Sequence, residues 1–398
     1  SQCTSRRARW PPSRGSPGPV QQATEALKAD LPPARAPGLT LGAAIAHVTD
    51  ERLKNLHPAY FAMVMSTGIV SIACQLLGYG TFAKVLLWLT LPLFAILIGL
   101  NLLRLVRFPR AFLADWSDHQ RGVGFFTIVA STCVVGTQHV TLRSALGLGR
   151  GLWWVGLALW CGCMYAIFTA LTVRDAKPTL PNGINGGWLV AVVATQSLCV
   201  LGTNISSTFG PHRVFALFVM LSFWLCGGML YIWTISLIFY RYTFFRFLPS
   251  DLMPPYWINM GAMAISTLAG TTLIKHADAS PLLVSLLPFL KGFTLWYWAT
   301  ATWWIPMLVI LAVWRHAVKR FPVTYDPLYW GAVFPLGMYT ACTFQVATVV
   351  GVPELTAVAR RFVIVALIAW CLTFWGWLRR VASILSEVHR VRAVGPAR

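Results

Sequence analysis

Long apolar runs alternate with short polar segments along most of the chain, from Pro58 to near Ala382. Each run reaches the roughly 20 residues that an α-helix needs to cross a bilayer core of ~30 Å. The predicted fold class is therefore an all-α integral membrane protein with one polytopic domain over residues 56–385. We expect ten transmembrane helices, at about residues 58–78, 82–103, 123–141, 152–173, 185–205, 214–240, 255–274, 289–314, 327–350 and 362–382.

The segments outside the predicted spans are polar and basic. Within residues 1–55, the first 38 or so are rich in Pro, Arg, Ser and Ala, a composition typical of disorder. From Leu41 to Leu56 the apolar residues fall near one helical face, which suits a short interfacial helix or, equally well, a solvated linker. Residues 386–398 form a short basic tail.

A short motif recurs at the start of every odd-numbered span. The motifs are roughly 60 to 75 residues apart, which is the length of one helical hairpin with its loops. They predict five repeated hairpins that bury a common face, although aromatic residues also mark membrane interfaces in general. In each motif Pro or Gly precedes an aromatic residue: HPAYF at 57–61, GVGFF at 122–126, NGGWL at 185–189, PPYWI at 254–258 and DPLYW at 326–330.

Odd and even spans differ in their side chains. Even spans contain most of the tryptophans, which we expect to face lipid, whereas odd spans contain stripes of small and hydroxylic residues. Five stripes around a shared axis predict a central pore lined by the odd-numbered helices, although one such stripe alone is more typical of helix packing. The candidate lining residues are Thr67, Gly68, Ser71, Thr127, Ser131, Gln138, Gln196, Thr203, Asn259, Ser266, Gly270, Met338 and Gln345.

Composition and charge agree with a membrane protein and indicate its orientation. The chain has 57% hydrophobic and 11% charged residues, and its formal net charge is +20. The basic residues lie in tails and loops, so membrane lipids rather than nucleic acid are the expected partners. Loops on the side of both tails contain more Lys and Arg than the opposite loops. The positive-inside rule therefore predicts both termini in the cytoplasm. The expected location is the plasma (inner) membrane.

The ionisable residues narrow the candidate chemistry. Every acidic residue lies outside the predicted spans or at a span edge, so no buried carboxylate would bind a cation or repel an anion. His139 is the one candidate proton site within a span. The sequence has no P-loop, no His-Glu-x-x-His and no nucleophile–base set, and Cys161 and Cys163 lack the spacing of a zinc site. We expect a protein that carries small anions, is not an enzyme, and needs no cofactor or metal.

Three segments resemble the tellurite-resistance/dicarboxylate transporter family, which includes bacterial TehA, fungal malate permeases and sulfite exporters, and the slow anion channels of plant guard cells. They are HPAYFAMVMSTGIVSIA at the first span, NGINGGWLVAVVATQS at the fifth and YWGAVFPLGMYTA at the ninth. The resemblance implies five hairpins around a pore, often in a homotrimer. It also implies that Phe334 blocks the pore and that Pro335 bends the helix and directs the ring inward.

The resemblance implies transport of C4-dicarboxylates such as malate, or of chloride, nitrate, sulfite or tellurite. A channel-like path gated by Phe334 is the leading hypothesis, because hydroxyl and amide dipoles bind an anion weakly enough to release it. The alternative is a proton-coupled dicarboxylate or sulfite exporter that uses His139, and the third hypothesis is a non-conducting membrane scaffold or sensor. Ser66 stands where the malate and sulfite branches typically have glycine, which leaves the substrate open.

Overall fold

The computed structural model of the protein describes residues 40–394. The chain divides into two units, which in the described part are residues 50–383 and, much smaller, residues 40–49 with 384–394. The smaller unit buries Ala44, Val48 and Val388. A helix, Leu41–Lys54, stands where the sequence suggested an interfacial helix. Residues 1 to 38, which the sequence predicts to be disordered, lie outside the part of the chain that the structure describes.

The described residues form helices and no strand. Ten of these helices are long and apolar enough to cross a membrane, which confirms the all-α class and the number of predicted spans. Shorter helices cover Pro109–Trp116, Leu180–Gly183 and Pro281–Ser285. We label the long helices α1 Ala62–Leu76, α2 Gly80–Arg107, α3 Phe126–Arg143, α4 Leu146–Val173, α5 Val190–Asn204, α6 Arg213–Phe244, α7 Ile258–Lys275, α8 Leu287–Val313, α9 Trp330–Val350 and α10 Leu355–Val394.

The odd-numbered helices are central and the even-numbered helices are peripheral. Among the residues of their most apolar windows, 72–89% are buried in the odd spans and 17–50% in the even spans. The even helices expose large aromatic side chains such as Trp88, Trp233 and Trp303, which suits a surface that faces lipid.

The five odd-numbered helices contact one another in a closed order. Helix α1 contacts α3, α3 contacts α5, α5 contacts α7, α7 contacts α9, and α9 returns to α1. Buried Ser66 of α1 donates a hydrogen bond of 2.7 Å to the Trp330 carbonyl oxygen at the start of α9, where the order closes. Helices α2, α4, α6 and α8 each pack on the odd helix before them, and α10 contacts α9 through Phe362 and Tyr339.

A single turn of 3₁₀-helix precedes each odd-numbered helix. Neighbouring turns contact one another, and the fifth turn contacts the first. The repeated geometry supports the fivefold repeat that the entrance motifs predicted. The turns cover Pro58–Phe61, Gly122–Phe125, Gly186–Leu189, Pro254–Trp257 and Pro327–Tyr329.

Proline, capping side chains and glycine explain why the chain forms these turns. Proline occupies the first positions of three of them, where its missing N–H would have no helical partner. His57, Asn185 and Asp326 each accept a hydrogen bond from the backbone N–H two residues later. At Gly186 a Cβ atom would lie 2.3 Å from the Pro255 carbonyl oxygen, so only glycine allows adjacent turns to approach this closely.

Candidate functional site: two cavities on the axis of the odd-numbered helices

A cavity of ≈ 250 Å³ lies where the five odd-numbered helices begin. All five entrances contribute to its lining, and the five helices are therefore parallel, with their amino termini around one space. We call this cavity the vestibule. Its lining includes His57, Arg121, Asn185, Met253 and Leu328, one from each entrance. Parallel helices place the positive ends of their dipoles at such a space, which favours an anion.

Arg121 is the charged side chain of the vestibule lining. Its guanidinium contacts Asp115 at 2.7 Å through Nε and 3.1 Å through Nη2. The same carboxylate accepts a 2.7 Å hydrogen bond from Arg104, whose side chain is 1% exposed. The group of Arg104, Asp115 and Arg121 carries a net charge of +1, while the carboxylates of Asp118 and Asp326 accept hydrogen bonds from backbone N–H groups of vestibule residues. Among the residues that the structure describes, no acidic side chain lines the vestibule itself.

His57 and Asn185 contribute hydrogen-bond donors. Nδ1 of His57 accepts from the Ala59 N–H at 3.1 Å, which leaves Nε2–H as the donor of the neutral ring. Burial and, after it, the Arg121 charge lower the pKa of His57 to about 4, so the ring is neutral at pH 7. Oδ1 of Asn185 accepts from the Gly187 N–H at 2.7 Å, which leaves the amide nitrogen as its donor.

A second, much smaller cavity lies farther along the same helices. All five odd-numbered helices line it, through residues that include Ile69, Val134, Ser197, Leu268 and Met338. We call it the axial cavity. Its volume is ≈ 10 Å³, about the minimum that can hold one water molecule. The axis is therefore closed to a hydrated ion at this level.

Phe334 lies between the levels of these two cavities. Gly331 lines the vestibule and Met338 lines the axial cavity, and Phe334 lies three residues after the first and four before the second. These spacings place all three on one face of α9. The Phe334 side chain is fully buried. Pro335 lies inside α9 and packs on Gly261 of α7, where a Cβ atom would lie 2.7 Å from the proline Cγ.

Two of the predicted lining residues border the cavities, namely Thr127 in the vestibule and Met338 in the axial cavity. Others bond to neighbouring even-numbered helices. Thr67 accepts a 3.0 Å bond from Trp370 Nε1, and Ser71 donates a 2.7 Å bond to the Ala83 carbonyl. Gln196 donates to the Trp224 carbonyl at 3.0 Å, and Asn259 to the Tyr242 hydroxyl at 3.3 Å.

The remaining predicted residues lie within the bundle without bordering either cavity. Ser131 and Ser266 bond to carbonyls of their own helices, and Thr203 is buried. Gly68 and Gly270 allow close contacts, with Val134 and Thr294 respectively. Gln345 accepts a hydrogen bond from Lys275. Gln138 is buried, and neither of its amide atoms has a partner among the described residues. A role of these residues in an open path stays a prediction.

His139, the candidate proton site, is 3% exposed on α3. Its Nδ1 lies 2.9 Å from the Val135 carbonyl oxygen, which only accepts, so Nδ1–H donates this bond. The histidine thus has the hydrogen bond of a satisfied structural residue. Among the described residues, no group of three or more His, Cys, Asp or Glu side chains could hold a metal ion.

Several cavity residues were absent from the sequence-based predictions. His57 and Asn185 stand at the start of the HPAYF and NGGWL segments, so the entrance repeat itself was the signal that could have identified them. Arg121 immediately precedes the second repeat, GVGFF. The apolar residues of the axial cavity gave no signal, because any membrane helix contains Ile, Val and Leu on all sides.

These features define a class: a ten-span, all-helical membrane protein with five parallel helices around a closed axis. The family model of the voltage-dependent anion channel family (SLAC1) matches residues 55–378. The chain therefore belongs to this family, and the resemblance to the tellurite-resistance/dicarboxylate transporters is confirmed.

Three relatives differ in how much of the chain they match. An uncharacterized membrane protein of Mycobacterium tuberculosis strain H37Rv is 35% identical over 42% of this chain and 85% of its own length. An uncharacterized transporter of Methanocaldococcus jannaschii is 25% identical over 75% of this chain and 87% of its own. The sulfite efflux pump SSU1 of Trichophyton rubrum is 22% identical over 81% of this chain and 90% of its own.

Proposed function

We propose that the protein conducts small anions along the axis of its five odd-numbered helices and that Phe334 closes this path. One observation carries the proposal: two cavities, each lined by all five odd-numbered helices, lie on either side of the Phe334 level. A buried aromatic ring between them would exclude water from the axis, and hydrophobic constrictions gate channels by dewetting. Displacement of the ring would join the two cavities.

The vestibule supports an anionic rather than a cationic substrate. Its donors are the Arg121 guanidinium, the neutral His57 ring and the Asn185 amide, while Gln120 and Thr127, which donate to backbone carbonyls, retain acceptor oxygens. The volume of ≈ 250 Å³ is far above the roughly 10–15 Å³ that one water molecule needs, so the vestibule has room for a small hydrated anion. The name of the Trichophyton rubrum relative makes sulfite the first substrate to test. Chloride, nitrate, tellurite and malate follow from the family resemblance.

The direct test is anion efflux from liposomes that contain the purified protein or its Phe334→Ala variant. We expect the variant to raise efflux of sulfite or chloride at least about tenfold, a barrier lowered by about 1.4 kcal/mol. Phe344→Ala is the matched control, because Phe344 is a partly buried phenylalanine on the same helix. If Phe334→Ala left efflux unchanged, or Phe344→Ala raised it equally, Phe334 would not be the gate.

The second candidate function is proton-coupled export of sulfite or a dicarboxylate, which the word "pump" in the relative's name favours. His139 is its candidate proton site. Coupled export would collapse when an uncoupler is added and would lose its pH dependence in His139→Gln. Efflux that follows only the gradient of the anion would rule this candidate out. A non-conducting scaffold or sensor would give no anion flux with either Phe or Ala at position 334.

Orientation and assembly are proposals as well. We propose that the vestibule faces the cytoplasm of a plasma (inner) membrane protein, because the entrances lie on the same side as both termini and the more basic loops. The homotrimer that the resemblance implies is testable by native mass spectrometry of the purified protein. A monomer at all detergent concentrations would contradict it without affecting the proposed path.

A further inference from the structure

A groove runs between the first half of α9 and the middle of α10, on the outside of the bundle. Its volume is ≈ 630 Å³. The floor is apolar and consists of Ala332, Val333, Leu336, Ala369 and Leu372. We call it the α9–α10 groove. It lies at the same end of the molecule as the vestibule, because the start of α9 borders both cavities.

One end of the α9–α10 groove is aromatic and basic. Trp257, Tyr325, Tyr329, Trp375 and Arg379 line it there. The Tyr325 ring packs on Gly376 of α10, where a Cβ atom would lie 2.6 Å from the ring. The Arg379 guanidinium lies 5.1 Å from the centre of the exposed Trp375 ring. Tyrosine, tryptophan and arginine together are typical of the interface between lipid headgroups and the hydrocarbon core.

The basic character extends beyond the groove itself. A neighbouring cavity of ≈ 50 Å³ shares Trp257 and Tyr329 with the groove and is lined in addition by Arg315. Residues 314–329 and 372–383 contain one acidic side chain, that of Asp326, which caps the Leu328 N–H at 2.7 Å. The basic side chains of these two segments are Arg315, Lys319, Arg320, Arg379 and Arg380.

The length of the groove matches one leaflet of a bilayer. Its α10 wall runs from Ala369 to Arg379. Ten steps of 1.5 Å give roughly 15 Å, half of a ~30 Å hydrocarbon core. An acyl chain that begins at the arginines would therefore end near the bilayer centre.

We propose that the α9–α10 groove binds an anionic phospholipid, with an acyl chain on the apolar floor and the phosphate at Arg379, at the basic end of the groove. Charge complementarity selects the headgroup, because basic pockets between membrane helices bind anionic lipids. A zwitterionic lipid offers the same acyl chain but gains little from the arginines. The alternative occupant is a second copy of this chain, which would bring its own surface against the same basic rim.

The first experiment is lipid titration of the full-length protein in detergent, read by native mass spectrometry. Phosphatidylglycerol and phosphatidylcholine with identical acyl chains are the probes. We expect tighter binding of phosphatidylglycerol, weakened roughly fivefold in Arg379→Gln. Arg143→Gln is the matched control, because the Arg143 guanidinium stacks 4.7 Å from Trp88, near the carboxyl end of α3, away from the groove. Equal affinity for the two lipids, or equal loss in both variants, would overturn the proposal.

A second variant distinguishes the lipid from a second copy of the chain. Ala369→Phe places a ring on the floor of the α9–α10 groove. We expect this variant to retain fewer phosphatidylglycerol molecules and to keep the oligomeric state of the wild type. Unchanged lipid binding together with a changed oligomeric state would assign the groove to an interface between copies. Neither readout needs transport, so the result is independent of the proposed conduction.

Discussion

Single side chains at the entrances decide which polar groups the vestibule offers. Nδ1 of His57 and Oδ1 of Asn185 accept hydrogen bonds from their own turns. Because these acceptors are used inside the turns, the groups left for a ligand are donors. The capping side chains thus serve two purposes, since they form the 3₁₀ turns and favour an anion in the cavity.

The capping role of His57 predicts a pH dependence of stability. The pKa of His57 is lowered from 6.5 to about 4, so between these values the unfolded chain binds more protons than the folded one. The free energy of unfolding therefore rises with pH in this window and falls on acidification, by about 2–3 kcal/mol over its full width. Well above pH 6.5, where the ring is neutral in both states, the group contributes no slope.

His57→Asn tests this prediction, because asparagine caps the equivalent turn at position 185 and does not titrate. We expect its melting temperature in detergent to fall less than that of the wild type between pH 6.5 and pH 4. Parallel pH profiles for the two proteins would show that protonation of His57 is not linked to folding.

The predicted lining shows what sequence reasoning can and cannot give for single residues. A stripe of polar side chains, such as the one with Gln196 on α5 or with Asn259 on α7, defines one face of its helix. It does not specify which neighbouring helix that face contacts. In the structure Gln196 and Asn259 bond to α6, and the axis is lined largely by apolar side chains. The spacing of Phe334 and Met338 on α9 indicated their common face, whereas the two cavities that Gly331 and Met338 border were not predictable.

A buried carboxylate holds neighbouring structural elements together beside the vestibule. Asp115 of the short helix Pro109–Trp116 joins Arg104, near the end of α2, to Arg121, just before the second 3₁₀ turn. Arg104 also donates to the Lys54 carbonyl at 3.1 Å. The loop between α2 and α3 is therefore fixed by one carboxylate, which also orients the cation of the vestibule.

Asp115→Asn is expected to destabilise the protein by about 3 kcal/mol, because it leaves the Arg104 charge buried without a counterion. The matched control is Asp50→Asn. Asp50 pairs with Arg107 of the same helix α2 at 2.7 Å, but their side chains are 38% and 51% exposed. An exposed pair is worth less than about 1 kcal/mol. Thermal unfolding of both variants in detergent is the measurement. Equal losses of stability in Asp115→Asn and Asp50→Asn would contradict the buried role of Asp115.

The helices themselves could be predicted well from the sequence. Apolar run length gives the ten spans, and the distribution of tryptophan and small residues separates peripheral from central helices, because both depend on local sequence. The contacts that assemble the helices do not depend on local sequence. Ser66 bonds to Trp330 and Thr67 to Trp370, across 264 and 303 residues of chain, and no periodicity specifies such pairs.

On the scale of the whole molecule, the five entrances form a ring by close contact of backbone with backbone. The approach of Gly186 to the Pro255 carbonyl is one of its tightest points, because the neighbour is a main-chain atom that cannot turn away. Repeated turns of this kind determine the width of the vestibule. The repeat was detectable in the sequence, whereas the tightness of the ring was not.

Gly186→Ala is expected to destabilise the protein by about 3 kcal/mol, since a Cβ atom 2.3 Å from the Pro255 oxygen forces the two turns apart. Gly162→Ala is the control. Gly162 lies on the exposed face of α4 with nothing within 4 Å of an added Cβ, so its substitution should be neutral or stabilise by up to about 1 kcal/mol. Similar melting temperatures for both variants would contradict a tight ring of entrances.

The measurement that tests the central claim most directly is the reversal potential of Phe334→Ala in a planar bilayer under a potassium chloride gradient. An axis closed by one ring, with hydrogen-bond donors in the vestibule at its entrance, predicts that the variant conducts far more than the wild type. It also predicts a reversal potential close to the chloride equilibrium potential. A silent variant, or a reversal close to the potassium equilibrium potential, would contradict an anion path along this axis.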